Sequence, residues 1–115
     1  MLNVKGFPTE SFDHILLDPP CSALGLRPRL VIADDIDLDA FPRYQRLFVA
    51  SAVALLKPGG TMTYSTCTIR TAENELMVKY MLESYPMMEL LPIDITMGGP
   101  GLPCCLSEPN KVRRF

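Results

Sequence analysis

The chain reads as an α/β protein, a piece of a doubly wound, mostly parallel sheet flanked by helices. Three observations predict this. Strand-like and helix-like segments alternate in the order strand, helix, strand, helix, strand, the order that builds parallel sheets with right-handed crossovers. The first strand-like run, Phe12-Asp13-His14-Ile15-Leu16-Leu17, ends in continuous apolar residues, which suits a parallel strand buried on both faces. The strand-like runs are too few for a whole sheet, and 115 residues hold at most one domain.

Each element follows from local signals. The first strand stops at Asp18-Pro19-Pro20, because proline cannot continue a central strand. Ala23 to Asp39 has loop composition, with proline, arginine and an acidic run of Asp34, Asp35, Asp37 and Asp39. Asp39 is placed to cap a helix, and Pro42 falls near the first turn, where a missing N–H does no harm. Tyr44, Leu47, Phe48, Ser51, Ala52 and Leu55 recur at helical spacing, and Lys57-Pro58-Gly59-Gly60 is expected to terminate the helix. Thr61 to Thr66 is short and β-prone and delivers Cys67 at its far end. Thr71 is expected to cap a second helix, with Glu73 and Glu75 complementing the dipole in its first turn. The apolar stripe of that helix is Leu76/Met77 and Tyr80/Met81, and it ends before Pro86. Residues 87–93 are expected to form a third strand, and everything from Gly98 onward reads as loop.

Composition narrows the function. A net charge of −2 rules out a bulk cationic field for nonspecific nucleic-acid binding. Any RNA contact must come from local groups such as Arg27 and Arg29, or Lys111, Arg113 and Arg114; such clusters also serve simply as solvated surface. Cysteine occurs at 21, 67, 104 and 105 without a C-x-x-C pair, and the one histidine, His14, lies inside a strand-like run. No metal is therefore expected. The opening residues lack the form of a signal peptide, and no apolar stretch approaches the ~20 residues needed to cross a bilayer. Free thiols in a reducing compartment follow, cytoplasmic with the nucleus or nucleolus as the alternative.

The chemistry gathers at strand ends. In open α/β sheets ligands bind beyond the carboxyl ends of the strands. Asp18-Pro19-Pro20-Cys21 leaves the first strand there, and Ser65-Thr66-Cys67-Thr68 leaves the second. If the two strands are neighbours, a carboxylate and two thiols converge on one pocket. Either cysteine alone is most simply a small buried hydrophobe; two of them, each directly after a strand, point to reactivity.

Asp18-Pro19-Pro20-Cys21-Ser22 and Ser65-Thr66-Cys67-Thr68 resemble the two signature motifs of the Nop/Sun family of RNA 5-methylcytosine methyltransferases. Phe12-Asp13, Gln45-Arg46, Leu56-Lys57-Pro58-Gly59-Gly60 and Glu73-Asn74-Glu75 extend the resemblance over residues 11–114. The Gly101-Leu102-Pro103-Cys104 stretch and the tail look most like the tRNA-acting branch, which carries an added RNA-binding (PUA) module. The resemblance implies the C-terminal half of a Rossmann-like class I methyltransferase domain with S-adenosylmethionine as cofactor and RNA, by this branch tRNA, as partner. It makes Cys67 the nucleophile, Cys21 the group that assists release, and Asp18 a residue facing cofactor and cytosine; Ser22, Arg27 and Arg29 are candidate RNA contacts. Without that role, Asp18 is a turn residue ahead of two prolines.

The sequence departs from the family in places. Pro19 stands where many members have Ala, and Ala23 where many have Gly. The glycine-rich cofactor loop, its acidic ribose partner and an upstream lysine have no counterpart; Gly98-Gly99-Pro100-Gly101 does not open a helix. Arg113-Arg114-Phe115 resembles the start of a further motif, so the expectation is a partial domain over residues 1–115 that lacks the cofactor loop and a final strand, and is inactive alone. Its unpaired sheet edges favour self-association. Two other readings are open: an Asp-Pro-Pro-type enzyme that methylates exocyclic amino groups, in which Cys67 would have no use, and a non-catalytic RNA- or partner-binding module.

Overall fold

In the computed structural model, residues 6–26 and 35–115 are described. Strand β1 (Phe12–Leu17) leads to helix α1 (Ala40–Leu55), strand β2 (Leu56–Tyr64), a 3₁₀ turn (Thr71–Glu73) and helix α2 (Glu75–Ser84). Two short strands follow, β3 (Gly99–Pro100) and β4 (Arg113–Arg114), with a 3₁₀ turn at Pro109–Lys111 between them. β1 and β2 pair in parallel, from His14 opposite Thr61 to Leu17 opposite Tyr64. The expected α/β architecture with a parallel pair is present.

The helix ends where Lys57-Pro58-Gly59-Gly60 begins, but those residues do not form a separate turn. They lie inside β2, as an irregularity between the Phe12–Leu56 and His14–Thr61 pairs. Proline lacks the ladder donor, so it belongs at such a bulge. Gly59 takes φ +77 there, and a Cβ on Gly60 would stand 2.8 Å from the Asp13 carbonyl oxygen. Glycine is what lets the two backbones meet.

The core forms where α1 and α2 cover one face of this pair. Leu17, Val49, Ala52, Met77 and Met81 are buried together, with Ile15, Phe48, Met62 and Tyr64 packed on them. Met77 and Met81 lie one helical turn apart, as the stripe on α2 requires. The other face differs from expectation: Leu16 is 74% exposed, so nothing among the described residues covers β1 on that side. A single layer of helices covers this pair among the described residues.

Three further expectations are corrected. Residues 87–93 form no strand; Met87 is 77% and Leu91 52% exposed, with no neighbouring strand among the described residues to give this segment a ladder. The C-terminal stretch is not all loop, because Gly99 pairs with Arg114 and Pro100 with Arg113 in a short antiparallel ladder. Finally, Asp39 and Thr71 are not side-chain caps. Asp39 occupies the N-cap position of α1 without capping it, its carboxylate taken by Arg70 at 2.8 Å, and α2 begins after Asn74 rather than Thr71.

Candidate active site

Because Leu17 and Tyr64 are register partners, the chains that follow them leave the sheet side by side. The ladder continues one step further, with the Ser65 amide donating to the Leu17 carbonyl at 3.0 Å. Ser65 Oγ then donates to Asp18 Oδ1 at 3.1 Å. Three residues beyond Asp18, the Cys21 sulfur lies 3.2 Å from the Cys67 sulfur. The carboxylate and both thiols thus share one end of the parallel pair, as the strand-end argument requires. Asp18 and Cys67 are exposed and Cys21 is half-buried, so the thiols are neither paired in a disulfide nor sealed in the interior.

The loop carrying Cys21 is pressed onto the loop carrying Cys67. The Gly25 amide donates to the Cys67 carbonyl at 3.0 Å, and a Cβ on Gly25 would stand 2.8 Å from that same oxygen. Ala23 adopts φ +55, a left-handed conformation that costs a non-glycine residue about 1–2 kcal/mol. This is a physical reason for glycine at the matching family position, and this chain carries alanine there with that strain.

A polar network holds both loops from below. Glu73 is fully buried; its carboxylate accepts from the Ser22 amide at 3.0 Å, from Ser22 Oγ at 2.6 Å and from Gln45 Nε2 at 3.0 Å. Gln45 Nε2 also donates to the Pro20 carbonyl at 3.0 Å. Tyr64 donates its hydroxyl to the Glu73 carbonyl at 2.7 Å. Asn74 takes the other loop: Thr66 Oγ1 donates to its Oδ1 at 2.6 Å, and its Nδ2 donates to the Thr68 carbonyl at 2.9 Å. Buried polar groups satisfied this completely fix a single arrangement.

The surroundings favour the protonated form of the Cys67 thiol. The hydrogen bond with Cys21 pushes the Cys67 thiol above its ordinary value, helped by partial burial and by the charges of Cys21 and Asp18. Burial, then the charges of Glu73, Cys21 and Asp18, raise the Tyr64 phenol, so it remains a donor. Among the described residues no group of three or more His, Cys, Asp or Glu side chains could hold a metal ion. His14 Nδ1 instead pairs with Thr61 Oγ1 at 2.6 Å across the strands.

Of the residues singled out from sequence, Asp18, Cys21 and Cys67 come together. Ser22 is 4% exposed, and its hydroxyl engages Glu73 and Thr68; this places it in the wall behind the thiols. Arg27 and Arg29 lie outside the described residues. Cys104 and Cys105 sit elsewhere, 3.1 Å apart. Sequence reasoning passed over Glu73, Asn74, Gln45 and Tyr64 as parts of the site. The signal for three of them was present, since Gln45 and the Glu73-Asn74 pair belong to the stretches that carry the resemblance, but a role in the loops depends on contacts between distant positions.

Residues 2–101 match the family described as 16S rRNA methyltransferase RsmB/F. The chain belongs to this family of RNA methyltransferases. The Nop/Sun resemblance is thereby borne out. The chain is 49% identical over 100 residues to an rRNA (cytosine-C(5))-methyltransferase, NOP2C, of Arabidopsis thaliana, covering 85% of this chain and 17% of that relative. It is 43% identical over 113 residues to the tRNA (cytosine(72)-C(5))-methyltransferase NSUN6 of Mus musculus, covering 95% of this chain and 24% of the relative. The crystal structure of NSun6 from Pyrococcus horikoshii with SFG superposes with a TM-score of 0.68 at 44% identity, over 75% of this chain and 22% of that one. This family member therefore spans about a sixth to a quarter of the length of those relatives.

Proposed function

We propose that this chain supplies the thiol pair of an S-adenosylmethionine-dependent RNA cytosine carbon-5 methyltransferase, with Cys67 as nucleophile and Cys21 as the group that releases product. The observation that carries this is the 3.2 Å separation of the two sulfurs at the ends of paired parallel strands, beside Asp18. Carbon 5 of cytosine is a poor nucleophile until a neighbouring carbon is attacked. The Cys67 thiolate forms a bond to carbon 6, and the displaced electron pair gives carbon 5 the character it needs to accept a methyl group. Cys21, as thiolate, then takes the carbon-5 proton; the electron pair restores the ring double bond and expels the Cys67 thiolate. Asp18 presents an exposed carboxylate that can accept from the cytosine amino group.

The family is S-adenosylmethionine-dependent, and the cofactor supplies the methyl group when bound. The described residues fit only one edge of such a group. Asp18 is suitably placed, but Gly99 and Pro100 enter the β3–β4 ladder and the Gly98 to Gly101 stretch opens no helix, so it does not form a phosphate- or ribose-cradling turn. We therefore read the chain as part of a doubly wound catalytic domain, its C-terminal half, that does not methylate RNA by itself. The named relatives act on both rRNA and tRNA; the C-terminal resemblance favours tRNA, and with it a cytoplasmic or nucleolar setting. No helix among the described residues is long and apolar enough to cross a membrane.

The test uses the intact enzyme that carries this sequence. RNA containing 5-azacytidine should form a denaturation-resistant adduct, which Cys67→Ala abolishes. With unmodified RNA, Cys21→Ala should accumulate a covalent complex and Cys67→Ala should not. Methylation of an exocyclic amino group predicts no adduct in any of these, and equal trapping by both variants would void the assignment of roles.

A further inference from the structure

The two loops that meet at the thiols are held by different residues, and those residues are neighbours in sequence. Glu73 binds the Cys21 loop: the Ser22 amide at 3.0 Å and Ser22 Oγ at 2.6 Å, with Gln45 bridging from Glu73 to the Pro20 carbonyl, 3.0 Å to each. Asn74 binds the Cys67 loop through Thr66 at 2.6 Å and the Thr68 carbonyl at 2.9 Å. Each side chain reaches its loop directly, one residue before and one after the thiol in the case of Asn74, and on both sides of Cys21 in the case of Glu73 with Gln45. The loops also touch each other directly, through the Gly25 amide on the Cys67 carbonyl at 3.0 Å, the two sulfurs at 3.2 Å, Ser65 Oγ on Asp18 at 3.1 Å and a bond between Ser22 Oγ and Thr68 Oγ1 at 2.7 Å.

We infer that Glu73 and Asn74 are positioning residues with separate duties, Glu73 setting the releasing thiol Cys21 and Asn74 the attacking thiol Cys67. The inference rests on the roles proposed above for the two cysteines. Burial gives the division its force. Glu73 is fully buried, with Oε2 accepting from the Ser22 amide and Gln45 Nε2 and Oε1 from Ser22 Oγ and Arg70 Nη1. An amide keeps only one of these acceptors, so whichever way it turns, its N–H₂ group faces a donor on Ser22, and burial makes that mismatch costly. Ser22 must retreat, and Cys21 is joined to it. Asn74 does not touch the Ser22 loop in any hydrogen bond among the described residues, so its loss moves Cys67 first. Misplacing a reacting group by about 1 Å costs roughly 100-fold in rate, and the step that suffers should differ between the two variants.

The experiment compares Glu73→Gln and Asn74→Ala with Cys21→Ala and Cys67→Ala in the intact enzyme on unmodified RNA. Glu73→Gln should accumulate the covalent complex like Cys21→Ala, its release slowed roughly 10–100-fold while adduct formation persists. Asn74→Ala should behave like Cys67→Ala and form little adduct. A residue that merely stabilises the fold would lower both steps together and trap nothing. If Cys21→Ala itself fails to trap, the roles of the cysteines are wrong; if it traps and Glu73→Gln does not, the inference about Glu73 is overturned. Should Glu73→Gln fail to fold, Ser22→Ala serves in its place beside Thr68→Val, since the Ser22 hydroxyl bonds both Glu73 and Thr68 and Thr68→Val removes the second contact alone, leaving Glu73 with Ser22, Gln45 and Arg70. No trapping by Ser22→Ala would then overturn the inference. A readout without turnover is available on the chain itself. Diamide, taking two electrons and two protons from the thiols, should join Cys21 to Cys67 in the wild type, and about 10-fold more slowly in Glu73→Gln; peptide mass mapping separates this link from Cys104–Cys105.

Discussion

Arg114 closes the C-terminal segment onto α2 through Glu75, and removing that carboxylate provides a quantitative test of how the tail is held. Arg114 Nε donates to Glu75 Oε1 and Nη2 to Oε2, both at 2.6 Å, a two-pronged charge-assisted pair. The Leu102 amide adds a third donor to Oε1 at 2.9 Å, and Arg114 Nη1 continues to the Ile69 carbonyl at 2.9 Å. The Glu75 side chain is 2% exposed and that of Arg114 25%. In Glu75→Gln the amide keeps one acceptor oxygen but turns donors toward a guanidinium. Stranding a wholly buried charge costs about 3–5 kcal/mol. Arg114 is partly hydrated, and one acceptor survives, so the lower figure of about 2–3 kcal/mol applies, in line with the loss of a hydrogen bond to a charged group. For a chain of this length that is a fall in Tm of roughly 6–15 °C.

Thermal unfolding followed by far-ultraviolet circular dichroism measures the loss, and the double variant Glu75→Gln/Arg114→Met tests its origin. With both partners replaced, the stranded charge is gone, and most of the destabilisation should disappear. The pH dependence has a definite sign. Burial alone would raise the Glu75 carboxyl, but the bonds from Arg114 and the Leu102 amide hold it below the usual carboxylate range. A carboxyl depressed in the folded state contributes stability above its unfolded value, near 4.3, and loses it as pH falls through the lower folded value. Glu75→Gln should remove that component of acid sensitivity. A single variant within about 0.5 kcal/mol of wild type, or a double variant no better than the single, would refute the account.

Two other outcomes are expected. Cys21→Ala deletes the largest influence raising the Cys67 thiol, so the midpoint of iodoacetamide alkylation at Cys67, followed by peptide mass spectrometry against pH, should move down; an unchanged or higher midpoint would show that the hydrogen bond does not control it. Cys105, raised to about 11 chiefly by burial, serves as an internal reference. Among the described residues the β1–β2 sheet has two strands and unpaired edges, and Leu16 is 74% exposed beside them, so the chain should self-associate as concentration rises. Light scattering that gives a constant monomer mass over a hundredfold dilution range would count against this.

The parts legible from sequence were those fixed by local chemistry. Asp18-Pro19-Pro20 ends β1 because proline ends strands, and Met77 and Met81 face the core because helical spacing puts them there. The convergence of Cys21 and Cys67 was also legible, since it needs only two adjacent parallel strands with reactive residues at their ends. What escaped was set by contacts between distant segments. Glu73 has the position of an ordinary first-turn acid, yet the helix begins two residues later and its carboxylate is taken by Ser22, Gln45 and Arg70. Lys57 to Gly60 carries every mark of a turn, but parallel pairing with β1 absorbs it as a bulge. Residues 87–93 have the composition of a strand, and composition does not supply a partner to pair with.

The proximity of the two thiols at this site also has an electrostatic consequence. Sulfurs 3.2 Å apart cannot both ionise cheaply, because like charges at that distance oppose one another and the pair titrates as a unit. A single thiolate is therefore available for attack, with the neighbouring thiol sharing its proton. In the reaction proposed above, bonding of Cys67 to carbon 6 turns its sulfur into a neutral thioether, and the like-charge opposition between the two sulfurs is gone at the stage when a base must take the carbon-5 proton.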